Sequence, residues 1–305
     1  MRIFNLTDVP GTYGTRLTNM YLSDPPTRMH HPVLKACCPL IVGLLFFCIR
    51  TAAQPFFLPH AYAHNDYWHK RPLLDALDNG FTHVEADVYL RHSRLVVSHN
   101  PPFFRRRHTL DELYFRPLLQ RFIQDSAHQQ SPMDTIVLMI DIKSKSGRTI
   151  RALNSFLEKY KPVLSTYGDG KVTIRNLTIV ITGHRGLCSP DNHGPKYLFF
   201  DADLKKLDHQ QEPSDLYLTA SCRYSSLITW KGRGQIPPFQ QHRLKSLIEQ
   251  AHSIGAKVRL WGSPDNTPVW NFLMRCGVDL INTDKLVNLR NYFVNNGVNE
   301  QLHND

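Results

Sequence analysis

The chain has 305 residues, of which 42% are hydrophobic and 20% are charged, the composition of an ordinary globular protein. Its formal net charge of +10 favours an anionic ligand, such as a phosphate-bearing small molecule or a lipid headgroup. The basic residues form no compact block interleaved with aromatic residues, and the run Arg105–Arg107 is short. The composition therefore argues against a nucleic-acid partner.

The first predicted element is an apolar segment of 14 residues, 36–49. It is shorter than the ~20 residues of a membrane span and has the length of a signal-peptide core. We expect translation to begin at Met29, a signal peptide over residues 29–53, and export to the periplasm or the exterior. The alternative is an uncleaved leader that anchors the protein to a membrane.

From residue 54 to residue 305 the chain alternates strand-like and helix-like segments. The strand-like runs are almost continuously apolar, as in parallel strands that are covered on both faces. This pattern predicts an α/β fold, a single-domain TIM (β/α)8 barrel, with a doubly wound open sheet as the alternative. The predicted strands are 60–66, 83–90, 135–143, 177–182, 196–202, 216–220, 256–261 and 278–284.

Two acids one residue apart interrupt the second predicted strand. Glu85 and Asp87 project to the same face, because side chains at i and i+2 of a strand point the same way. A barrel gathers its chemistry at the carboxyl ends of its strands, where Asp141 also falls. Burying three unpaired carboxylates is costly, so we expect a divalent cation, Mg²⁺ or Ca²⁺, to bind them.

Two histidines flank the acid pair along the chain. His64 ends the first predicted strand, and His99 ends the run that follows the second. Imidazoles titrate near neutral pH, so these two could act as base and acid on opposite sides of a phosphorus atom. Lys143, at the end of the third strand, could offset charge on the phosphate.

The motifs that carry these residues resemble a known superfamily. The segments are AHNDYWHKRPLLDALDNGFTHVEADVYL, VVSHNPP, TLDELYFRPL, VLMIDIKS and KVRLWGSPDNTPVWNFLMRCGVDLINTDKL. Together they are similar to the PLC-like phosphodiesterases, in the branch related to glycerophosphodiester phosphodiesterases that includes the altered inheritance of mitochondria protein 6-like group. The resemblance covers most of residues 58–290.

The resemblance implies a TIM barrel that uses two histidines and a metal held by acids. It implies His64 and His99 as the catalytic pair, and Glu85, Asp87 and Asp141 as the metal ligands. Lys143 matches the lysine that follows the third acid. Glycerophosphodiesterases usually have His-Arg-Gly at the first histidine, whereas this chain has Asn65 after His64. Their third acid is often Glu rather than Asp. Both departures concern the headgroup more than the reaction, and we count Asn65 among the candidate substrate-binding residues.

Several residues at other strand ends have weaker predicted roles. Trp261 either stacks on a substrate headgroup or covers the barrel. Arg259 either pairs with a buried acid or contacts phosphate. Asp284 is interpreted as a hydrogen-bonding residue that closes the barrel.

Two other sequence patterns are similar to parts of the predicted catalytic site. The segment Gly183–Gly186 reads GHRG, but no spaced acid pair follows it, so we interpret it as a rim loop in which Arg185 could touch an anionic substrate. Asp201 and Asp203 repeat the spacing of the acid pair without a following histidine, and we interpret them as solvated loop acids. The three cysteines after residue 53 are too few and too scattered for a disulfide framework, and we expect them to be buried.

The sequence therefore predicts a metal-dependent phosphodiesterase that cleaves a glycerophosphodiester or a phospholipid headgroup, releasing a free or a cyclic phosphate. We expect a monomer with a small-molecule or lipid substrate and with peripheral membrane contact. One alternative is an exported barrel that binds a phosphorylated or sugar ligand without turnover. A glycoside hydrolase is the other, but it would place its acids at separate strand ends.

Overall fold

The computed structural model describes residues 56–102, 108–127, 135–144, 147–184, 196–207 and 214–297. The elements belong to one compact unit, Ala52–Asp305. The expected leader, residues 1–53, lies outside the described residues, as do Arg185 and Cys188. Cys222 and Cys276 are free and buried, as expected.

The strands are β1 (Leu58–Ala63), β2 (Phe81–Arg91), β3 (Arg94–Val97), β4 (Ile136–Ile142), β5 (Thr166–Gly168), β6 (Lys171–Thr173), β7 (Leu177–Gly183), β8 (Leu198–Asp203), β9 (Tyr217–Arg223), β10 (Lys257–Trp261) and β11 (Ile281–Thr283). The helices are α1 (Leu74–Asp78), α2 (Arg116–Ala127), α3 (Gly147–Leu157), α4 (Pro238–Ser253), α5 (Thr267–Cys276) and α6 (Leu286–Asn295). Short 3-10 helices include Asp66–Trp68, directly after β1.

Eight of these strands form a parallel barrel, in the order β10-β9-β8-β7-β4-β2-β1-β11. A parallel bridge between Arg259 and Leu280 joins β10 to the residue before β11 and closes the ring. All eight predicted strands are present, and the predicted TIM barrel is confirmed. The alternative of an open sheet is wrong because the first and last strands meet.

The strands form where the sequence is apolar on both faces. In β4, Ile136, Leu138 and Ile140 alternate with Met139, and all four side chains are fully buried. One face fills the barrel interior and the other packs under the surrounding helices, which is the arrangement that favours continuous hydrophobic runs.

Two hairpins add to the predicted barrel. In the first, β3 pairs antiparallel with the end of β2 through a turn in which His92 and Ser93 both have positive φ. That turn lacks the glycine that such turns usually contain, so its sequence does not predict a hairpin. The second hairpin, β5–β6, turns at Asp169–Gly170, a pair that often marks such turns.

The helices follow the predicted apolar spacing. Helix α3 buries Ile150, Leu153 and Leu157. It ends before Pro162, in a 3-10 segment, because proline cannot continue the helical hydrogen bonding. Gly255 follows α4 with a φ of +76°, which is the left-handed conformation expected just after a helix. None of the helices in the described ranges is both long and apolar enough to span a lipid bilayer.

Candidate active site

Three carboxylates from two neighbouring strands converge at one end of the barrel. Glu85 and Asp87 lie on the same face of β2, and Asp141 of β4 pairs in register with Asp87. One carboxylate oxygen from each acid lies within 4.8 Å of the others. The structure therefore brings the three predicted metal ligands together.

Glu85 has the most demanding environment of the three acids. It is 5% exposed, and burial raises the pKa of its carboxyl against the opposing effect of Arg259. Its Oε2 lacks a hydrogen-bond partner among the described residues. An orphaned, buried carboxylate oxygen beside two further carboxylates fits a hard divalent cation, which takes oxygen ligands.

Arg259 lies inside the barrel rather than on its rim. It is 2% exposed; its Nη1 donates to Asn282 Oδ1 at 3.1 Å and lies 3.7 Å from Glu85 Oε2. Its guanidinium also packs over the Tyr62 ring, 4.3 Å from the centroid. The alternative expectation, that Arg259 pairs with a buried acid, fits these contacts, and the phosphate contact stays a prediction. Arg259 is the counter-ion of a buried acid, because a fully enclosed guanidinium needs an anionic partner within the barrel.

His64 is held by a carboxylate on one ring nitrogen and faces the acid cluster with the other. Its Nδ1 lies 2.7 Å from Asp284 Oδ1, and its Nε2 lies 3.6 Å from Glu85 Oε2. The carboxylate assigns the proton to Nδ1 and leaves Nε2 as the basic nitrogen. Burial lowers the pKa of His64, but Asp284 and Glu85 outweigh burial and leave it raised. Asp284 thus orients His64.

His99 is also held by a carboxylate on Nδ1, but here the carboxylate belongs to the acid pair. Its Nδ1 lies 2.9 Å from Asp87 Oδ2, which again leaves Nε2 without this constraint. The side chain of His99 is 44% exposed. Its ring meets Trp68 edge-on, with the centroids 5.3 Å apart. The two predicted catalytic histidines therefore contact neighbouring acids of β2, one each.

Asp87 uses one oxygen for several partners. Its Oδ2 lies 2.8 Å from the Tyr67 hydroxyl and 3.2 Å from Lys143 Nζ, in addition to its contact with His99. Lys143 Nζ also donates to Asp141 Oδ2 at 2.6 Å. Burial lowers the pKa of Lys143, but Asp141 and Asp87 outweigh it and leave it raised. Lys143 therefore stays cationic beside the acids.

Asn65 is a buried residue that contacts the groups around the two histidines. Its φ of +49° is the left-handed conformation that asparagine tolerates better than most residues. It is 7% exposed. Its Nδ2 lies 2.9 Å from His64 Nδ1 and 3.2 Å from Asp284 Oδ1, and its Oδ1 accepts from Tyr67 at 2.8 Å. These contacts occupy both ends of the amide and tie Asn65 to the groups around the histidines. The substrate contact of Asn65 stays a prediction.

Trp261 lies at the end of β10, with 39% of its surface exposed. The guanidinium of Arg223 lies 5.7 Å from its ring centroid. The role of Trp261 in stacking on a headgroup stays a prediction. His184, in the GHRG segment, is exposed, and its backbone N–H donates to the Ile142 carbonyl.

The interpretation of Asp201 as a solvated loop acid is wrong. It lies within β8, is 4% exposed and accepts hydrogen bonds from three hydroxyl groups. The donors are Thr182 at 3.1 Å, Thr219 at 2.7 Å and Ser221 at 2.5 Å. These hydroxyls replace water and allow the carboxylate to stay buried. Asp203, at the end of the strand, is only partly buried.

A small cavity opens beside His99. Its volume is about 250 Å³, and its walls include Tyr67, Trp68, Val97 and Leu113. Trp68 is 62% exposed. The cavity therefore offers aromatic and apolar surface next to His99.

Comparisons with known proteins identify the family of the chain. The family model described as the AIM6-like phosphodiesterase domain matches residues 54–201. The chain is a (β/α)8 barrel with a phosphodiesterase-like domain. It is 30% identical to altered inheritance of mitochondria protein 6 from Saccharomyces cerevisiae S288c, over 74% of this chain and 68% of the relative. The chain belongs to the altered inheritance of mitochondria protein 6 family.

Other relatives show the same extent of match. The protein of the same name from Lachancea thermotolerans is 30% identical, over 75% of this chain and 64% of its own length. The one from Eremothecium gossypii is 28% identical, over 75% of this chain and 68% of its own length. The chain thus spans about two thirds of the length of these relatives.

Two solved glycerophosphodiester phosphodiesterases are also similar in structure. The one from Parabacteroides distasonis has a TM-score of 0.45 and 15% identity, covering 80% of this chain and 98% of that one. The one from Agrobacterium tumefaciens has a TM-score of 0.38 and 13% identity, covering 71% of this chain and 89% of that one.

Proposed function

We propose that the protein is a metal-dependent phosphodiesterase that cleaves a glycerophosphodiester or a phospholipid headgroup by acid–base catalysis. The observation that carries this proposal is the pair of histidines. Each has Nδ1 anchored by a carboxylate, at 2.7 Å for His64 and 2.9 Å for His99. Anchoring Nδ1 fixes the tautomer and leaves Nε2 available for proton transfer.

The two histidines divide the proton transfers between them. Nε2 of one imidazole accepts the proton of the attacking oxygen as the new P–O bond forms. Nε2 of the other protonates the leaving oxygen as the old P–O bond breaks. Attack by water releases a phosphomonoester, and attack by a neighbouring substrate hydroxyl releases a cyclic phosphate.

The acids and the lysine provide the electrostatic part of the site. Glu85, Asp87 and Asp141 would hold Mg²⁺ or Ca²⁺, since the orphaned Oε2 of Glu85 and the oxygen-only ligand set fit a hard cation. When bound, such a cation neutralises charge on the phosphoryl oxygens. Lys143, held cationic between Asp87 and Asp141, would add positive charge beside the substrate phosphate.

The cavity beside His99 supports a substrate with a compact group on that side of the phosphorus. A volume of about 250 Å³ suits a headgroup rather than a long acyl chain. The exposed indole of Trp68 adds a surface for stacking on such a group. The net charge of +10 favours approach of an anionic substrate.

The test is turnover of the full chain with and without chelator. A chromogenic bis-aryl phosphate, glycerophosphodiesters and lysophospholipids are offered after metal removal and again after adding Mg²⁺ or Ca²⁺. We expect metal-dependent turnover that His64→Ala and His99→Ala each abolish and that His184→Ala, an exposed histidine at the end of β7, leaves intact. Phosphorus NMR of the product separates free from cyclic phosphate.

The opposite outcome would replace the enzyme by a binding protein. Tight metal binding without cleavage of any diester, with both histidine variants indistinguishable from the parent, would favour a barrel that holds a phosphorylated or sugar ligand without turnover.

We further propose export of the protein through its leader, with peripheral membrane contact and a monomeric state. N-terminal sequencing of the natural protein tests the leader, because cleavage predicts a first residue of Gln54 and an anchor predicts the residues before it. Sedimentation with and without anionic vesicles tests the other two proposals.

A further inference from the structure

The hydroxyl of Tyr67 lies among the groups that hold the two predicted catalytic histidines. Tyr67 belongs to the 3-10 helix Asp66–Trp68 that follows β1, and its side chain points back over the acid cluster. Its hydroxyl lies 2.8 Å from Asn65 Oδ1, 2.8 Å from Asp87 Oδ2 and 3.2 Å from His99 Nδ1. The hydroxyl therefore contacts His99 and the acid that orients it.

The same hydroxyl reaches His64 through Asn65. The Asn65 amide accepts from Tyr67 with its oxygen, and its nitrogen lies 2.9 Å from His64 Nδ1 and 3.2 Å from Asp284 Oδ1. Because the proton on His64 Nδ1 is donated to Asp284, the Asn65 nitrogen donates to Asp284 Oδ1 rather than to the ring. A continuous set of hydrogen bonds thus runs from His64, through Asp284, Asn65 and Tyr67, to His99.

The chemistry of the hydroxyl suits this position. A tyrosine hydroxyl is an ordinary phenol, which carries its proton at neutral pH. A protonated phenol donates one hydrogen bond and can accept others. It can therefore satisfy an amide oxygen or a carboxylate while accepting from an imidazole N–H. A phenylalanine at this position would offer none of these contacts.

We propose that Tyr67 is a positioning residue that fixes the orientation of His64 and His99 relative to each other. The proposal rests on the proposed function, in which the two imidazoles act on opposite sides of one phosphorus atom. Such catalysis needs both rings aligned at once, and misplacement by about 1 Å can lower the rate about 100-fold. Tyr67 couples the two rings because its hydroxyl shares hydrogen bonds with the supports of both.

The first test is the kinetics of Tyr67→Phe, which removes only the hydroxyl. We expect kcat to fall about 10- to 100-fold while KM stays within about 3-fold of the parent. The calorimetric affinity for Mg²⁺ or Ca²⁺ and the unfolding temperature should change little, because the ring and all three acids remain. Tyr89→Phe is the matched control, because the hydrogen bond of the Tyr89 hydroxyl goes to the backbone carbonyl of His99, at 3.4 Å, rather than to an imidazole.

The second test reads the imidazoles directly and needs no substrate. Long-range ¹H–¹⁵N spectra of the full chain, assigned with His64→Ala and His99→Ala, report the tautomer and environment of each ring. In Tyr67→Phe we expect the signals of both His64 and His99 to shift, although Tyr67 touches only His99 directly. In Tyr89→Phe both should match the parent.

Each outcome decides the proposal. An unchanged kcat in Tyr67→Phe overturns it, as does a shift confined to His99, which would show that the rings are held independently. A large loss of metal affinity or of folding also overturns it, in favour of a role in supporting Asp87. If the parent cleaves no diester, the proposed function fails instead, and the spectra alone then decide whether Tyr67 couples the two rings.

Discussion

Gly183 offers a direct way to disturb the acid cluster without touching an acid. It ends β7 with a φ of +74°, beside the residue pair Asp141 and Ile142 of β4. A Cβ built at this position would lie 2.0 Å from Asp141 Oδ1 and 2.7 Å from the Ile142 carbonyl oxygen. The methyl group of Gly183→Ala would therefore displace both the Asp141 carboxylate and the backbone of β4 at Ile142.

The size of the effect follows from these distances. Contact at 3.0 Å, the shortest that real Cβ atoms show, requires a shift of 3.0 − 2.0, or about 1 Å, at Asp141. Metal–ligand distances tolerate only about 0.2 Å, so affinity for Mg²⁺ or Ca²⁺ should fall by at least ~10-fold. Alanine in the left-handed region adds about 1–2 kcal/mol of destabilisation.

The assay is calorimetric metal titration, together with urea unfolding. Gly170→Ala is the matched control, since Gly170 has a φ of +71° and nothing lies within 4 Å of the added Cβ. Gly170→Ala should lose about 1–2 kcal/mol of stability from the same backbone strain but keep the parental metal affinity. If Gly183→Ala binds metal as tightly as Gly170→Ala, Asp141 is not a ligand and the argument is refuted.

Three further predictions concern buried ionisable groups. Burial raises the pKa of Asp66 to about 7. Between about pH 4 and pH 7 the folded state therefore binds one more proton than the unfolded state, and the free energy of unfolding falls as pH rises. By pH 6 this loss is about 3 kcal/mol, and Asp66→Asn should remove it. Burial lowers the pKa of His83 to about 3, so its stability contribution is complete above about pH 6.5 and falls as pH falls. His83→Gln should remove about 2 kcal/mol of the loss between pH 8 and pH 5. Arg259→Met leaves Glu85 without its counter-ion and should destabilise the metal-free protein by about 3 kcal/mol, a loss that saturating Mg²⁺ or Ca²⁺ should partly reverse.

Urea unfolding across pH checks all three. If the difference in unfolding free energy between the parent and Asp66→Asn does not change with pH, the pKa of Asp66 is not raised by folding. Likewise, a pH-independent difference between the parent and His83→Gln would exclude a lowered pKa of His83. An Arg259→Met variant as stable as the parent would show that Glu85 is neutral or paired elsewhere.

The fold was predictable because its signals are local. Each barrel strand is a short apolar run, and burial on both faces of a parallel sheet demands such runs. The β2–β3 hairpin was harder to see, since its turn uses His92 and Ser93 at positive φ, without glycine. Nothing in side-chain periodicity reports that conformation.

The candidate site was predictable only where it depends on strand geometry. Glu85, Asp87 and Asp141 could be placed together because strand ends meet on one rim. The same reasoning failed for Asp201, whose spacing to Asp203 matches that of the acid pair. Its burial depends on hydroxyls donated by other strands, and only the closed barrel brings these to it.

Arg259 and Tyr67 show the same limit. The inward direction of Arg259 follows from the pairing of β10 with β9 and from closure of the ring beside β11. The role of Tyr67 depends on a 3-10 turn after β1 that carries its hydroxyl back over Asp87. The sequence signal for this turn was the departure from His-Arg-Gly at position 65. Asn65 adopts the left-handed conformation directly before the 3-10 helix.

The most direct test of the central claim is a metal titration of the full chain, coupled to diester turnover in the same samples. We predict one Mg²⁺ or Ca²⁺ per chain, with turnover rising in proportion to the bound metal, and loss of both signals in Glu85→Gln and Asp141→Asn. Turnover that persists after complete metal removal, or metal binding that both variants retain, would contradict the account.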